Sequence, residues 1–174
     1  MSNHKTPSIR FKGFTDDWEQ RKLSELVIYH ASNLTASDAN ENGNYYLYDA
    51  NSIIGKTDEE PLKTKYITVI KDGAGVGRIR KMPEDTMFIG TMGGLIADDS
   101  NLNFIYALLT KFDLGRAFSG STIPHIYFKD YGNNKYLIPK KDEQGEIGRY
   151  FDHLDNLITL HQRERKGWRK NGRI

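Results

Sequence analysis

The sequence of 174 residues contains no cysteine, so neither a disulfide framework nor a thiolate metal site can form. Its five histidines include no H-E-x-x-H or H-x-x-x-H pair, which argues against metal ligation. There is no run of about 18 apolar residues, and the opening MSNHKTPSIRFKGF lacks the apolar core of a signal peptide. These absences predict a cytoplasmic protein that does not cross a membrane and holds no metal.

Basic residues are unevenly distributed along the chain, although the formal net charge is only +2. The last 14 residues contain six Lys/Arg and one acid, which leaves 19 basic and 22 acidic residues before them. Within that acidic body, residues 63–81 contain six Lys/Arg against Asp72 alone. A cationic surface is therefore expected to be local, and charge by itself gives weak support for nucleic-acid binding.

Short β-branched or aromatic runs dominate the middle of the chain. YYLYDA, YITVI, GRIRKM and TMFIG are separated by turn residues, which is typical of strands. Apolar residues of NFIYALLTKF recur at helical spacing, and Asn103 can cap that helix. Near the N-terminus, an extended arm of residues 1–16 leads to a helix expected to begin at Asp16. The sequence thus predicts an α/β (α+β) protein with a mixed, strand-rich core.

The C-terminal segment has a heptad pattern. The positions at spacings of 4, 3, 4 and 3 are Ile147, Phe151, Leu154, Ile158 and His161. This spacing predicts a long helix of the coiled-coil type that pairs with another helix. Gly145 and Gly148 each cost about 1 kcal/mol in a helix interior, which predicts a first turn that is either weak or specialised. We therefore divide the chain into a domain of residues 1–140 and a helical segment of residues 141–174.

The stretch KDGAGVGRIRK, residues 71–81, allows three interpretations. A dinucleotide loop needs G-x-G-x-x-G at the start of a helix, but Arg78 stands where the third glycine belongs, and no Gly-Lys-Ser/Thr follows. The glycines can instead form a plain structural turn, or a hairpin that presents Lys71, Arg78 and Arg80 to a polyanion. The first interpretation makes the chain a small nucleotide-dependent transferase that uses the loop from Gly73 to Gly77.

The segment SGSTIPHIYFKDY, residues 119–131, offers polar side chains to a ligand. Ser121 and Thr122 lie near His125 in the sequence, yet a nucleophile also needs an oriented base and an oxyanion hole, which this spacing does not indicate. A loop that contacts bases and phosphates is the functional interpretation, and a polar surface loop that buries Ile126 is the structural one. The side chains that could make such contacts are Ser121, Thr122, His125, Tyr127 and Lys129.

Four motifs occur in an order that resembles a known family. They are PSIRFKGFTDDWEQRKLSEL, YITVIKDGAGVGRIRKMPEDTMFIGTM, GSTIPHIYFKDY and LIPKKDEQGEIGRYFDHLDNLITLHQR. Over residues 7–163 the chain resembles one half of the specificity subunit of type I restriction-modification systems. The most specific parts of the resemblance are IRFKGFTDDWEQRKL in the arm and EQGEIGRYFDHLDNLITLHQR in the helix.

The resemblance implies both a fold and a function. Each half of such a subunit is an α/β target-recognition domain followed by a long helix, and each domain reads one part of a split double-stranded DNA site. The paired helices dock methyltransferase subunits, which bind S-adenosylmethionine and modify adenine, and a motor-nuclease subunit that uses ATP and Mg²⁺ cuts unmodified DNA. The specificity subunit itself is not catalytic and holds no cofactor.

On this basis, we expect residues 1–140 to be a target-recognition domain and residues 141–174 to mediate homodimerisation and methyltransferase docking. The expected DNA-binding residues are Lys63, Lys65, Lys71, Gly73, Gly75, Arg78, Arg80, Lys81, Ser121, Thr122, His125, Tyr127 and Lys129. The expected partner-helix residues are Ile147, Phe151, Leu154, Ile158 and His161. The chain departs from the family in having one recognition domain and a shorter helix. The alternatives are a recombination cassette, a disabled truncation, and a competitor for the methyltransferase subunit that reads no DNA.

Overall fold

The computed structural model describes residues 7–112, 114–117 and 124–171, with side chains at all of these except residues 116, 117 and 166–171. The strands are β1 (Glu19–Lys22), β2 (Val27–Ala31), β3 (Tyr45–Tyr48), β4 (Ile53–Thr57), β5 (Tyr66–Ile70), β6 (Ile79–Met82), β7 (Thr86–Phe88), β8 (Met92–Ala97) and β9 (Lys135–Ile138). The helices are α1 (Leu102–Lys111), α2 (Phe128–Tyr131) and α3 (Lys141–Asn171). Of the helices in these residues, none is long and apolar enough to cross a membrane.

Strand β5 is an inner strand of the largest sheet, which has the order β2-β8-β5-β6 and is antiparallel throughout. All five residues of β5 are buried. Successive side chains of a strand point to opposite faces of the sheet. Ile67 and Val69 accordingly enter one core, and Tyr66 and Ile70 enter another. The sheet is therefore covered on both faces, which explains the continuous apolar run YITVI.

Two cores lie on the two faces of this sheet. The first contains Leu95 of β8, Phe104 and Ile105 of α1, and residues from the two-stranded sheet β1-β9 and its neighbours. The second joins the large sheet to a three-stranded sheet of order β4-β3-β7, through Tyr48 and Phe88 among others. In that smaller sheet β3 pairs antiparallel with β4 and parallel with β7. The expected strand-rich α+β architecture is confirmed.

The prediction of a helix that begins at Asp16 is wrong. Residues Glu19–Lys22 form β1, which pairs antiparallel with β9, and a 3-10 turn at Leu23–Glu25 follows. The Leu23 N–H donates to the Asn134 carbonyl at 3.1 Å. Strand partners that are distant in sequence thus outweigh the helical spacing of the local apolar residues. The arm before β1, as far as it is described, contains no helix or strand.

The four strand predictions are confirmed, because each run contains one of the strands β3, β5, β6 and β7. The prediction of α1 is confirmed as well, but its cap differs. The helix begins at Leu102, and Asn101 is the cap, since its Oδ1 accepts a hydrogen bond from the Phe104 N–H at 3.0 Å. The predicted cap, Asn103, lies inside the helix.

The first turns of α3 are part of the domain core. Glu143 is only 1% exposed, and Arg10 donates to both of its carboxylate oxygens at 2.6 Å. The Trp18 indole N–H donates to the same carboxylate at 3.2 Å. This hydrogen bonding with Glu143 raises the pKa of Arg10. A bidentate pair of this kind has fixed geometry, so the N-terminal arm is attached to the start of α3.

The two glycines of α3 have different surroundings. A Cβ on Gly148 would lie 2.5 Å from Asn101 Oδ1 and 2.8 Å from the Phe104 nitrogen, whereas a Cβ on Gly145 would meet nothing within 4 Å. Gly148 therefore allows α3 to cross the N-terminus of α1 at close range. The weakness expected from a glycine at this position is offset by packing.

Replacement of these two glycines should have opposite effects on stability. Gly148→Ala is expected to lower the free energy of unfolding by about 1–2 kcal/mol, because the added methyl overlaps α1. Gly145→Ala is expected to raise it by about 0.5–1 kcal/mol, because alanine favours the helix and meets no neighbour. Urea unfolding of both variants measures the difference. Equal gains for the two variants would contradict the close crossing.

Candidate nucleic-acid interface

The glycine stretch is a hairpin turn between β5 and β6. The Ile70 N–H donates to the Arg78 carbonyl at 2.9 Å, and the Gly77 N–H donates to the Ile70 carbonyl at 2.8 Å. Gly73, Gly75 and Gly77 have φ angles of 82°, 83° and 84°, a left-handed conformation that side chains disfavour. A strand follows the turn, so the helix N-terminus of a dinucleotide loop is missing here. The hairpin is confirmed, and the nucleotide-dependent transferase finds no support.

The segment of residues 124–129 lies against this turn. The Gly73 N–H donates to the Pro124 carbonyl at 3.0 Å, which ties the turn to the start of the segment. Two stretches that are well separated in sequence, and that were both predicted to bind DNA, are thereby brought together. Ser121 and Thr122, which belong to the same prediction, lie outside the described residues.

His125 is the polar centre of the joined surface. Its Nδ1 is hydrogen-bonded to Asp72, whose other oxygen lies 2.7 Å from the Lys71 ammonium. Its Nε2 is buried and has no partner among the described residues. The Tyr127 ring, which is 48% exposed, lies 3.9 Å from the His125 ring, and the Lys129 ammonium lies 5.0 Å from the Tyr127 ring. An aromatic face and a cation are therefore exposed beside the glycine turn.

Burial also affects an ionisable group next to this surface. Tyr29 stacks on Phe128, with ring centroids 4.6 Å apart. Burial raises the pKa of Tyr29, and the nearby Lys71 ammonium opposes the shift. In the part of the chain that the structure describes, no group of three or more His, Asp and Glu side chains could hold a metal ion. The surface thus offers hydrogen-bonding groups and cations.

The predicted cationic stripe divides between two faces of the large sheet. The Arg80 guanidinium lies 5.1 Å from the ring of Tyr48, on the side of the three-stranded sheet. The Lys81 ammonium lies 2.5 Å from the Asp152 carboxylate of α3, on the opposite side. Neighbouring residues of a strand alternate between faces, so one surface cannot present both cations. The charge of Lys81 is paired within the chain.

Two further lysines of the stripe lie at its far end. Lys63 and Lys65 precede β5, whereas Lys71 follows it, so about 17 Å of extended strand lies between the two groups. The Lys63 ammonium lies 3.4 Å from Asp85 and 4.9 Å from the Tyr45 ring. Desolvation opposes the charge of Lys63, but Tyr45 and Asp85 outweigh this effect and raise its pKa. Lys65 is exposed and has no ion pair with any described residue.

Arg78 and Arg80 hold a second turn, residues 49–52, which joins β3 to β4. Arg78 Nη2 donates to the Ala50 carbonyl at 2.5 Å and to Asn51 Oδ1 at 2.9 Å, and Arg80 Nη1 donates to the Asn51 carbonyl at 3.3 Å. These four residues also line a depression of about 250 Å³. Sequence reasoning missed this turn as part of the site. Its Asp-Ala-Asn-Ser sequence signals a turn, but no local pattern signals its contact with Arg78.

The heptad seam of α3 leaves the domain after its first member. Ile147 packs against the first core. Beyond it, Phe151 is 45% exposed and Ile158 is 55% exposed, while Leu154 is half-buried. His161 is exposed as well. The structure therefore separates one seam residue that stabilises the domain from a distal group that is open to a partner.

The sequence and the fold both match type I restriction-modification proteins. A family model described as the type I restriction modification DNA specificity domain matches residues 15–167. The S subunit of a type I restriction-modification system from M. genitalium has a TM-score of 0.68 and 23% identity, over 92% of this chain and 46% of that chain. The HsdS subunit from Thermoanaerobacter tengcongensis has a TM-score of 0.64 and 15% identity, over 91% of this chain and 42% of that chain. No curated protein sequence matches the chain.

A third solved structure, described as the structural basis underlying complex assembly and conformational transition of the type I R-M system, has a TM-score of 0.70 and 16% identity. It is matched over 92% of this chain and 44% of that chain. The chain thus spans a little under half the length of each solved structure, and identities this low show the fold alone. The family model, in contrast, covers most of the sequence, from the arm before β1 to the distal part of α3. The chain belongs to the type I restriction-modification DNA specificity domain family.

Proposed function

We propose that this chain reads one half of a split double-stranded DNA site as the specificity module of a type I restriction-modification system. One observation carries the proposal. Almost the whole chain superimposes on two solved specificity subunits, yet it spans a little under half of their length. One recognition domain with one helix is the unit expected at that length. Such a module directs partner subunits to DNA and catalyses no reaction itself.

The proposed DNA-contacting surface is the glycine turn together with residues 124–129. Phosphate contacts position a protein on the duplex, and contacts to base edges give specificity. Lys129 is suited to a phosphate, because it is exposed and has no ion pair among the described residues. Tyr127 is suited to contacts in a groove, because its exposed ring is held against the His125 ring. His125, whose Nδ1 is bonded to Asp72 and whose Nε2 is buried, is better suited to support this surface. Ser121 and Thr122 stay predicted contacts of the same surface.

Helix α3 is the proposed binding site for protein partners. The distal seam of Phe151, Leu154 and Ile158 would pair two copies of the chain as a homodimer, since two half-site readers need a fixed separation. The paired helices would dock the methyltransferase subunit, and the motor-nuclease subunit would join through that complex. S-adenosylmethionine, ATP and Mg²⁺ belong to those subunits in this proposal. We expect this assembly to form in the cytoplasm, where it would meet the DNA that it recognises.

Binding of the purified chain to duplex DNA is expected to weaken steeply with salt. Each phosphate contact contributes about −0.9 to the slope of log K against log salt concentration. Lys129→Ala is expected to reduce the magnitude of that slope by about 1, because one cation on the proposed surface is lost. Fluorescence anisotropy of a labelled duplex over a salt series measures the slope for each protein.

Lys135→Ala is the matched control for this experiment. Lys135 is also an exposed lysine, but it lies on β9 in the two-stranded sheet. The control should keep the wild-type slope. An unchanged slope for Lys129→Ala would show that Lys129 does not contact a phosphate. A folded wild-type chain without salt-dependent binding would refute DNA recognition and favour a competitor for the methyltransferase subunit.

A further inference from the structure

The turn of residues 49–52 is closed by three hydrogen bonds of its own. Asp49 Oδ1 accepts hydrogen bonds from the Asn51 N–H at 2.7 Å and the Ser52 N–H at 2.6 Å. The Asp49 N–H donates to the Ser52 carbonyl at 3.0 Å, which closes the turn. The side chain of Asn51 is exposed at its tip. The backbone of the turn therefore sets the position of Asn51.

Arg78 fixes the orientation of the Asn51 amide. Both hydrogens of Arg78 Nη2 are used, one by the Ala50 carbonyl and one by Asn51 Oδ1. A bidentate contact with a phosphate or a guanine needs the planar fork of the guanidinium, part of which is already engaged. The structure thus favours Arg78 as a support for Asn51 over Arg78 as a direct DNA contact.

The oriented amide has one free donor group and one free acceptor site. Because Oδ1 accepts from Arg78, the other end of the amide is the NH₂ group, which makes no hydrogen bond with a described residue. Oδ1 keeps a second lone pair. In the major groove, an adenine presents the N7 acceptor beside the N6 amino donor, which is the pattern that an asparagine amide complements. Asn51 therefore has the chemistry to recognise adenine.

The electrostatic setting of the turn favours the approach of DNA. Arg78 and Arg80 donate to neutral oxygen atoms of the turn, and no described carboxylate forms an ion pair with either guanidinium. The acidic residue of the turn, Asp49, accepts hydrogen bonds from two backbone N–H groups. Two positive charges thus remain beside Asn51 without a carboxylate partner from the described residues, and they attract a polyanion.

We propose that Asn51 reads an adenine of the half-site and that Arg78 is its positioning residue. This assignment rests on the proposed function and deepens it. The 49–52 turn becomes a third segment of the DNA-contacting surface, next to the glycine turn that precedes Arg78. The predicted role of Arg78 changes accordingly, from a phosphate contact to support of a specificity-determining side chain.

Selection from a pool of randomised duplexes tests the assignment. The purified full chain is incubated with the pool, and the bound DNA is sequenced. Asn51→Ala is expected to lose adenine discrimination at one position of each half-site in the enriched motif by about 5- to 150-fold, with the other positions unchanged. Arg78→Lys is expected to lose it at the same position, because the rotatable ammonium of a flexible side chain does not fix the direction of its hydrogens as the planar guanidinium does. Asn42→Ala, which removes an exposed asparagine outside the proposed surface, is the control and should keep the motif.

Each contrary outcome has a separate meaning. A motif that is unchanged in Asn51→Ala overturns the assignment and leaves the proposed function intact. An unchanged motif in Arg78→Lys also overturns it, and uniformly weaker binding of Arg78→Ala with a smaller salt slope then makes Arg78 a phosphate contact. A wild-type chain that enriches no sequence overturns both the assignment and the proposed function. Asn51→Asp keeps the side-chain shape without the donor, so it should lose the same adenine even if Asn51→Ala folds poorly.

Discussion

Gly77→Ala is expected to lower the free energy of unfolding by about 2–5 kcal/mol. Gly77 has a φ of 84°, and a Cβ there would lie 2.2 Å from the Gly115 nitrogen. Backbone strain in this conformation costs about 1–2 kcal/mol, and forced repacking adds about 1–3 kcal/mol. Since domains are stable by only about 5–15 kcal/mol, this loss is a large fraction of the total. Chemical denaturation monitored by circular dichroism measures it.

Gly73→Ala is the matched control for Gly77→Ala. Gly73 has nearly the same φ, 82°, but a Cβ there would meet nothing within 4 Å. The free energy of unfolding of this variant should therefore fall by only about 1–2 kcal/mol, because the left-handed conformation is strained but no neighbour is displaced. Similar losses in the two variants would show that the backbone next to Gly115 moves aside, and that the turn is not packed against residues 114–117 as described.

The comparison of Gly73 with Gly77 illustrates what the sequence could predict. The spacing of the glycines, together with the strand-like run that follows them, allowed a hairpin as one of three interpretations. The reason for glycine at position 77 is its contact with Gly115, which comes from a distant part of the chain. The same limit explains the incorrect helix near Asp16, because the backbone partner of β1 is β9. Local patterns predict elements, and long-range pairing decides between them.

The candidate site was predictable to a similar extent. Basic and polar residue types predicted the two segments that the structure joins at Asp72 and His125. Side chains alternate between the two faces of a strand, so the strand pattern of β6 also implies that Arg80 and Lys81 lie on opposite faces. Asn51 could not be predicted. Its proposed role depends on the hydrogen bond from Arg78, which links segments of two different sheets.

The first turns of α3 pack on the domain, whereas apolar residues farther along the helix are exposed. Glu143, Gly148 and Ile147 are committed to the domain through the ion pair with Arg10, the crossing with α1 and the first core. A substitution at Ile147 would therefore lower the stability of the domain as well as any helix pairing, so the two effects could not be told apart. Phe151 and Ile158 are exposed on the same seam and avoid that problem. They are the positions at which the proposed homodimer can be tested separately from the fold.

The double variant Phe151→Glu/Ile158→Glu is expected to be a folded monomer. Charges placed on an apolar seam should prevent helix pairing, because the carboxylates would lose solvation without gaining partners. For a duplex that carries two half-sites, affinity should fall by about 10²- to 10⁴-fold, since the second domain no longer binds at a high effective concentration. Affinity for a single half-site should stay unchanged. Sedimentation velocity and DNA titrations measure the two effects.

Leu160→Glu is the control that makes this experiment specific to the seam. Leu160 is 55% exposed, as Ile158 is, but it lies outside the positions spaced by 4 and 3 residues. A single added charge there should leave dimerisation and two-site binding intact, and co-expression with a methyltransferase subunit should still give adenine methylation at a symmetric, split motif. If Leu160→Glu dissociates the dimer as completely as the double variant does, pairing uses another face of α3. If the wild type is monomeric at high concentration, each chain reads DNA alone, and the spacing between half-sites must come from a partner.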